Sequence, residues 1–232
     1  MDKRFMKTLK LYIKTSFTLS PIIIFAALAF MVALPIGIAA APAHIGDKDY
    51  PSMIGCSGIG QIGILMMVTM GTISNSRSKF LYSTADAKRL MTIVPVIVTV
   101  LMGLIYDAVI VTIGVVILGN STAADLMIIN AMTTLAVTFA ISTNCKKGLG
   151  LLSFIGVVGI FCDSIITGIS SIGKLNGGFG LSLGQAAAVS AAILAVGIGG
   201  LLMILNVWWK KSDRLQRLTN NANIAVPEMF GG

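Results

Sequence analysis

A chain of 232 residues that is 56% hydrophobic and only 11% charged cannot cover itself with polar surface in water, since soluble domains carry about 25% charged residues. Its net charge of +8 suits nucleic acid in sign, but every Lys and Arg except Lys48 and Lys174 lies in one of four clusters: Lys3 to Lys14, Arg77 to Arg89, Lys146 with Lys147, and Lys210 to Arg217. The clusters fill every second segment between apolar runs, which is the positive-inside pattern of a polytopic membrane protein and excludes a basic nucleic-acid groove.

Residues 1–20 form the first predicted element, an amphipathic helix lying at the membrane interface. Phe5, Leu9, Tyr12 and Ile13 repeat at helical spacing, and Lys3, Lys7, Lys10 and Lys14 repeat on the opposite face. Such a helix binds membrane lipid without help, so a topogenic anchor is preferred over a docking collar for a cytoplasmic partner. The first span covers about Ile22 to Ala41, with Pro35 inside it. Its apolar run exceeds a signal-peptide core of about 7–15 residues, so cleavage is not expected. The outer loop that follows carries His44, the chain's one histidine, read as a solvated loop residue.

The second span covers about Met53 to Ile73. Its Gly58-Ile-Gly60-Gln-Ile-Gly63 matches a dinucleotide fingerprint in letters only, because no strand precedes it. Small residues there let helices approach closely in lipid, and Gln61 is expected to hydrogen-bond a neighbouring helix. The cytoplasmic loop 74–91 carries Arg77, Lys79, Asp86, Lys88 and Arg89. Ser83 and Asp86 have capping-box spacing, which predicts a helix start near Ser83.

The third span covers about Thr92 to Leu118, with Pro95 in its first turns. Asp107 lies roughly 24 Å along it from Met91 at about 1.5 Å per residue. A carboxylate at that depth is either a functional group or one satisfied by a neighbouring helix. Thr122 and Asp125 form another capping-box pattern before the fourth span, about Ala124 to Ser142. Thr133, Thr134 and Thr138 can bond their own helix backbone and need no other role. Asn144 to Gly148 make a second cytoplasmic turn, and the fifth span covers about Leu149 to Ser171. It carries Asp163 at a depth close to that of Asp107, so the two acids could face each other across a bundle.

Gly168 to Lys174 imitates a Walker loop but continues with Leu175, where magnesium binding needs Ser or Thr, and it is rejected. Lys174 to Gly184 reads as a flexible outer connection or a short re-entrant element. The sixth span covers about Gln185 to Trp209, with alanines at 187, 188, 191, 192 and 195 as a small-residue packing face. Trp208 and Trp209 form an aromatic belt followed by Lys210 and Lys211 as cationic anchors. Residues 210–232 form a polar cytoplasmic tail. Cys56, Cys145 and Cys162 have no paired spacing, so no metal, disulfide or cofactor is expected. No nucleotide site or nucleophile–base pair is found, which argues against an enzyme.

The fold expected is therefore an all-α polytopic membrane protein with six transmembrane helices in residues 21–209, both termini cytoplasmic, in a bacterial cell membrane. With Lys79-Phe-Leu-Tyr-Ser83, Ala87-Lys88-Arg89-Leu90, Thr92 and Pro95, this layout resembles the membrane (permease) subunits of type-2 ATP-binding-cassette exporters. The resemblance implies that the 74–91 loop acts as a coupling helix contacting a separate ATPase subunit through Arg77, Lys79, Asp86, Lys88 and Arg89. It also implies that the permease works as a homo- or heterodimer, and that any ATP hydrolysis belongs to the other subunit. Gln61, Asp107 and Asp163 would then line or pack the path. The family has marked re-entrant helices before its last span, and only Lys174 to Gly184 could supply one here. Two other readings stand beside it: an ion- or proton-coupled carrier using Asp107 and Asp163, and a non-transporting scaffold or immunity protein.

Overall fold

The computed structural model describes residues 3–16, 85–143, 146, 149–159 and 179–211. The first and second expected spans, Gln61, Arg77, Lys79 and Asp163 lie outside those residues. The described elements are helical: α1 (Lys3–Ser16), α2 (Val94–Leu118), α3 (Asn120–Thr143), α4 (Gly150–Gly159) and α5 (Leu183–Lys211). Three stretches, Arg89–Val116, Ala123–Thr143 and Leu183–Lys211, are long and apolar enough to cross a membrane, a crossing that takes about 20 residues. By length and composition this is a helical membrane protein.

Helical backbone begins at Ala87 and passes through a single π-helical turn, Arg89–Ile93, before α2. Pro95, in the first turn of α2, explains the wider turn. Proline has no N–H to give to the carbonyl four residues back, and its ring crowds that carbonyl. The Val94 N–H reaches instead to the Arg89 carbonyl, five residues back, which opens the turn ahead of the ring.

Gly119 closes the α2–α3 hairpin at φ +90°, a conformation that glycine adopts without a Cβ penalty. Its N–H bonds the Gly114 carbonyl at 3.1 Å. The helix after it starts at Asn120, earlier than the predicted Ala124, because the Ala123 N–H already bonds the Gly119 carbonyl. The last helix also starts earlier than predicted. Ser182 and Gln185 make a reciprocal capping box: the Gln185 N–H donates to Ser182 Oγ at 3.3 Å, and the Ser182 N–H donates to Gln185 Oε1 at 3.0 Å. Two orphan N–H groups are thereby satisfied, and α5 begins at Leu183.

α3 is the central helix, packed against α2 along one side and α5 along another. α5 runs parallel to α3: Ala186 sits with Ala124 and Ile128 at one end, and Leu201 and Leu205 sit near Phe139 towards the other. α4 crosses α3 backbone to backbone. A Cβ at Gly156 would stand 2.5 Å from the Ala140 amide nitrogen, so only glycine permits this approach.

The alanine face predicted for the last span is not where α5 packs. Ala187, Ala188, Ala191, Ala192 and Ala195 are exposed among the described residues, whereas Ala186, Ser190, Leu194, Leu201 and Leu205 are buried. A helix that is apolar on all sides carries no sequence signal for which side faces protein. The outward faces are equally apolar, with Val116 80% and Val196 77% exposed.

Candidate functional site

The described basic residues gather at one end of the bundle. There the 74–91 loop enters the π turn, α1 docks, and α5 ends. The apolar spacing of α1 supplies the contact: Tyr12, with Phe5 and Leu9 beside it, packs on Leu90, Met91, Val94 and Trp209. Tyr12 is 1% exposed, so this face meets protein, while Ile13, predicted to share it, is 44% exposed. Helical periodicity located the face but could not say whether lipid or protein would cover it.

Lys88 is half-buried and its Nζ donates to Asn206 Oδ1 on α5 at 2.6 Å. Thr92 Oγ1 donates to the Lys88 carbonyl at 2.6 Å, which holds the π turn onto the segment before it. Arg89 is half-buried, and the Asp86 carbonyl accepts the Leu90 N–H at 3.0 Å. Lys146 is buried at 8% exposure rather than solvated, and its Nζ donates to the Ser142 carbonyl. The same Nζ stands 5.7 Å from the centroid of the Trp208 ring, within cation–π range. Trp208 in turn meets Trp209 edge-on at 6.2 Å.

A second polar constellation lies near mid-length of α2 and α3. Asn130, 1% exposed, donates Nδ2–H to Asp107 Oδ1 at 3.0 Å. Asp107 is thus a carboxylate held by a neighbouring helix, at a depth where such a group is costly unless it is paired. At the far end, Asp125 is buried at 3% exposure. Its Oδ1 accepts the Phe179 N–H at 2.9 Å, tying α3 to the segment before α5. This carboxylate therefore makes a tertiary contact that the capping pattern did not indicate.

Three partners escaped the sequence reading: Asn130, Asn206 and the tertiary role of Asp125. A signal for Asn130 was present. In a hairpin closed at Gly119, residues equally far from the turn face each other, and Asp107 and Asn130 are almost equidistant from it. Asn206 sits inside the last apolar run one turn before Lys210, a polar residue at interfacial depth.

The basic end thus joins the described end of the 74–91 loop to α1, α2 and α5, and the Asp107–Asn130 pair puts a polar contact between α2 and α3. Among the described residues, no group of three His, Cys, Asp or Glu side chains could hold a metal ion. No known protein family, curated protein or solved structure matches the chain.

Proposed function

We propose that this chain is the permease subunit of an ATP-binding-cassette exporter. It has six spans with both termini in the cytoplasm, resides in a bacterial cell membrane as a multi-pass protein, and pairs with a second permease subunit. A separate ATPase docks on the 74–91 loop. One observation carries the reading: the described end of that loop is tied to the bundle at three places. Leu90 and Met91 lie beneath Tyr12 and Trp209, Lys88 bonds Asn206, and the π turn continues directly into α2. A partner that moves the loop therefore moves α1, α2 and α5 with it. ATP-driven opening requires such a linkage, and a loop with no tertiary contacts would not provide it.

In this reading the loop residues divide by role. Lys88 works inward, on Asn206. Arg77 and Lys79, further from the bundle in sequence, are the contacts offered to the ATPase. The test is affinity purification of the tagged protein from its native membrane in mild detergent, with an assay for ATP hydrolysis. A stoichiometric ATPase is expected with the unaltered chain and is lost when Arg77→Glu and Lys79→Glu are combined. Lys88→Met keeps the ATPase bound but lowers ATP-driven transport. A solitary chain with no associated hydrolysis refutes the proposal.

The Asp107–Asn130 pair favours a second reading, a cation-coupled carrier in which Asp107 and Asp163 take up the coupling ion. Full transport by both Asp107→Asn and Asp163→Asn rules that out.

A further inference from the structure

Beside Trp208 runs a groove of about 370 Å³, lined by Leu149, Met203, Ile204, Val207, Trp208 and Lys211. That volume falls within the roughly 300–1,000 Å³ of ligand pockets. Met203, Val207 and Lys211 are spaced four residues apart, so they form a stripe parallel to the axis of α5, about 12 Å long at 1.5 Å per residue. Met203 and Val207 are 72% and 49% exposed along it. The stripe is apolar until its last member, where Lys211 supplies a cation at the aromatic belt. The indole wall is fixed in place, since Lys146 stands over Trp208 and is itself held by the Ser142 carbonyl.

We infer that this groove binds an anionic membrane phospholipid, with an acyl chain along Met203 and Val207 and the phosphate against Lys211. Three features select this occupant. The groove runs along a membrane-crossing helix, as an acyl chain does. Among the described residues that line it, the one charged side chain is a cation, at the end where a headgroup would lie. A second copy of this chain would bring the same basic end against Lys211, and like charges would oppose it. The inference rests on the chain crossing a membrane and is independent of any ATPase.

The chain's two tryptophans both lie at this end, which makes them reporters. The protein is placed in vesicles of equal parts phosphatidylcholine and phosphatidylglycerol, with bromine on the acyl chains of one lipid or the other. Trp209→Phe leaves Trp208 as the sole fluorophore. Bromine on phosphatidylglycerol is expected to quench Trp208 about fivefold more effectively than bromine on phosphatidylcholine, the preference that one lysine at an anionic surface supplies. Lys211→Gln brings the ratio to one, and Lys211→Arg keeps it. Trp208→Phe, which leaves Trp209 packed against the cluster of Tyr12, Leu90 and Met91, removes the headgroup preference. Equal quenching by both lipids with Lys211 intact overturns the inference, as does a preference that survives Lys211→Gln. Absence of quenching by either lipid means that protein fills the groove, and overturns it too.

Discussion

Replacing Gly156 by alanine tests the backbone-to-backbone contact between α4 and α3. An added Cβ would stand 2.5 Å from the Ala140 amide nitrogen and 2.8 Å from the Ala136 carbonyl oxygen. Both are backbone atoms, which no rotamer change can move. Ordinary contact starts at 3.4 Å, so α3 and α4 must part by roughly 0.9 Å, forfeiting about a quarter to a half of the dispersion well at each contact. Overpacking costs about 1–3 kcal/mol, and immovable neighbours put this site at the upper end. Alanine returns about 1 kcal/mol of helix propensity, leaving a net loss of about 2 kcal/mol. Gly199→Ala in α5 is the control, because no described atom lies within 4 Å of its Cβ position and only the propensity gain remains. Gly197→Ala should fall between them, since it meets the movable δ-methyls of Leu135. Unfolding by SDS titration in mixed micelles, followed by tryptophan fluorescence, should order the midpoints as Gly199→Ala, wild type, Gly156→Ala. The two extremes should differ by about 3 kcal/mol. A Gly156→Ala midpoint at or above that of the wild type refutes the backbone contact between α3 and α4.

Three further perturbations address the polar ties. Asn130→Leu removes the donor to the half-buried Asp107 and should destabilise the protein by about 1 kcal/mol, the lower end of the cost of leaving a polar group unpaired. Adding Asp107→Leu should recover much of that loss, and a strictly additive double-mutant cycle would show that the two side chains do not interact. Asp125→Ala frees the Phe179 N–H, so hydrogen exchange at that amide should accelerate; an unchanged rate would refute the bond. Pro95→Ala lets an ordinary α-turn replace the π turn, rotating the preceding residues by about 100° and carrying Lys88 away from Asn206. A maleimide cross-linker between Lys88→Cys and Asn206→Cys should then react less, and an unchanged yield would mean that proline does not hold the turn.

Apolar length was the legible property of this sequence. The runs at 92–118, 124–142 and 185–209 correspond to α2, α3 and α5 within a few residues at either end, because a membrane crossing demands length regardless of what packs beside it. The displaced starts of α3 and α5 trace to local chemistry: the positive φ of Gly119, and the Ser182–Gln185 box, whose Ser-x-x-Gln spacing stands in the sequence. Facing was not legible. α1 shows one apolar side, yet Tyr12 is covered by protein and Ile13 is exposed. Likewise the alanine stripe of α5 is exposed while Gly197 meets Leu135. In a chain this apolar, hydrophobicity sets which residues are helical and leaves their rotation to shape. For the candidate site, sequence marked Asp107 as an expensive charge and Lys88 only as a loop cation; their partners Asn130 and Asn206 are uncharged, and Asn130 shows itself only through its distance from the Gly119 turn.

The placement of the polar ties follows from the same physics. Lipid tails are as apolar as leucine, so burial alone gives helices little reason to choose one register over another. Hydrogen bonds are directional and can choose. Among the described residues three such ties stand at different levels of the bundle: Lys88 to Asn206 at the basic end, Asp107 to Asn130 near the middle, and Asp125 to Phe179 at the far end, with Ser153 Oγ–H to the Ala140 carbonyl joining α4 to α3 besides. Each level joins a different pair of segments. The outer two both involve α5 or the residues leading into it, whereas the middle one fixes α2 on α3. A displacement imposed on the described end of the 74–91 loop would therefore reach α5 through Lys88 and α2 through the π turn, with α2 held to α3 by Asp107 and Asn130. In such a displacement α3 would be the helix that α5 is pushed against. The large side chain of Leu135 at Gly197 gives that interface a contact that can slide, in contrast to the backbone contact between α4 and α3.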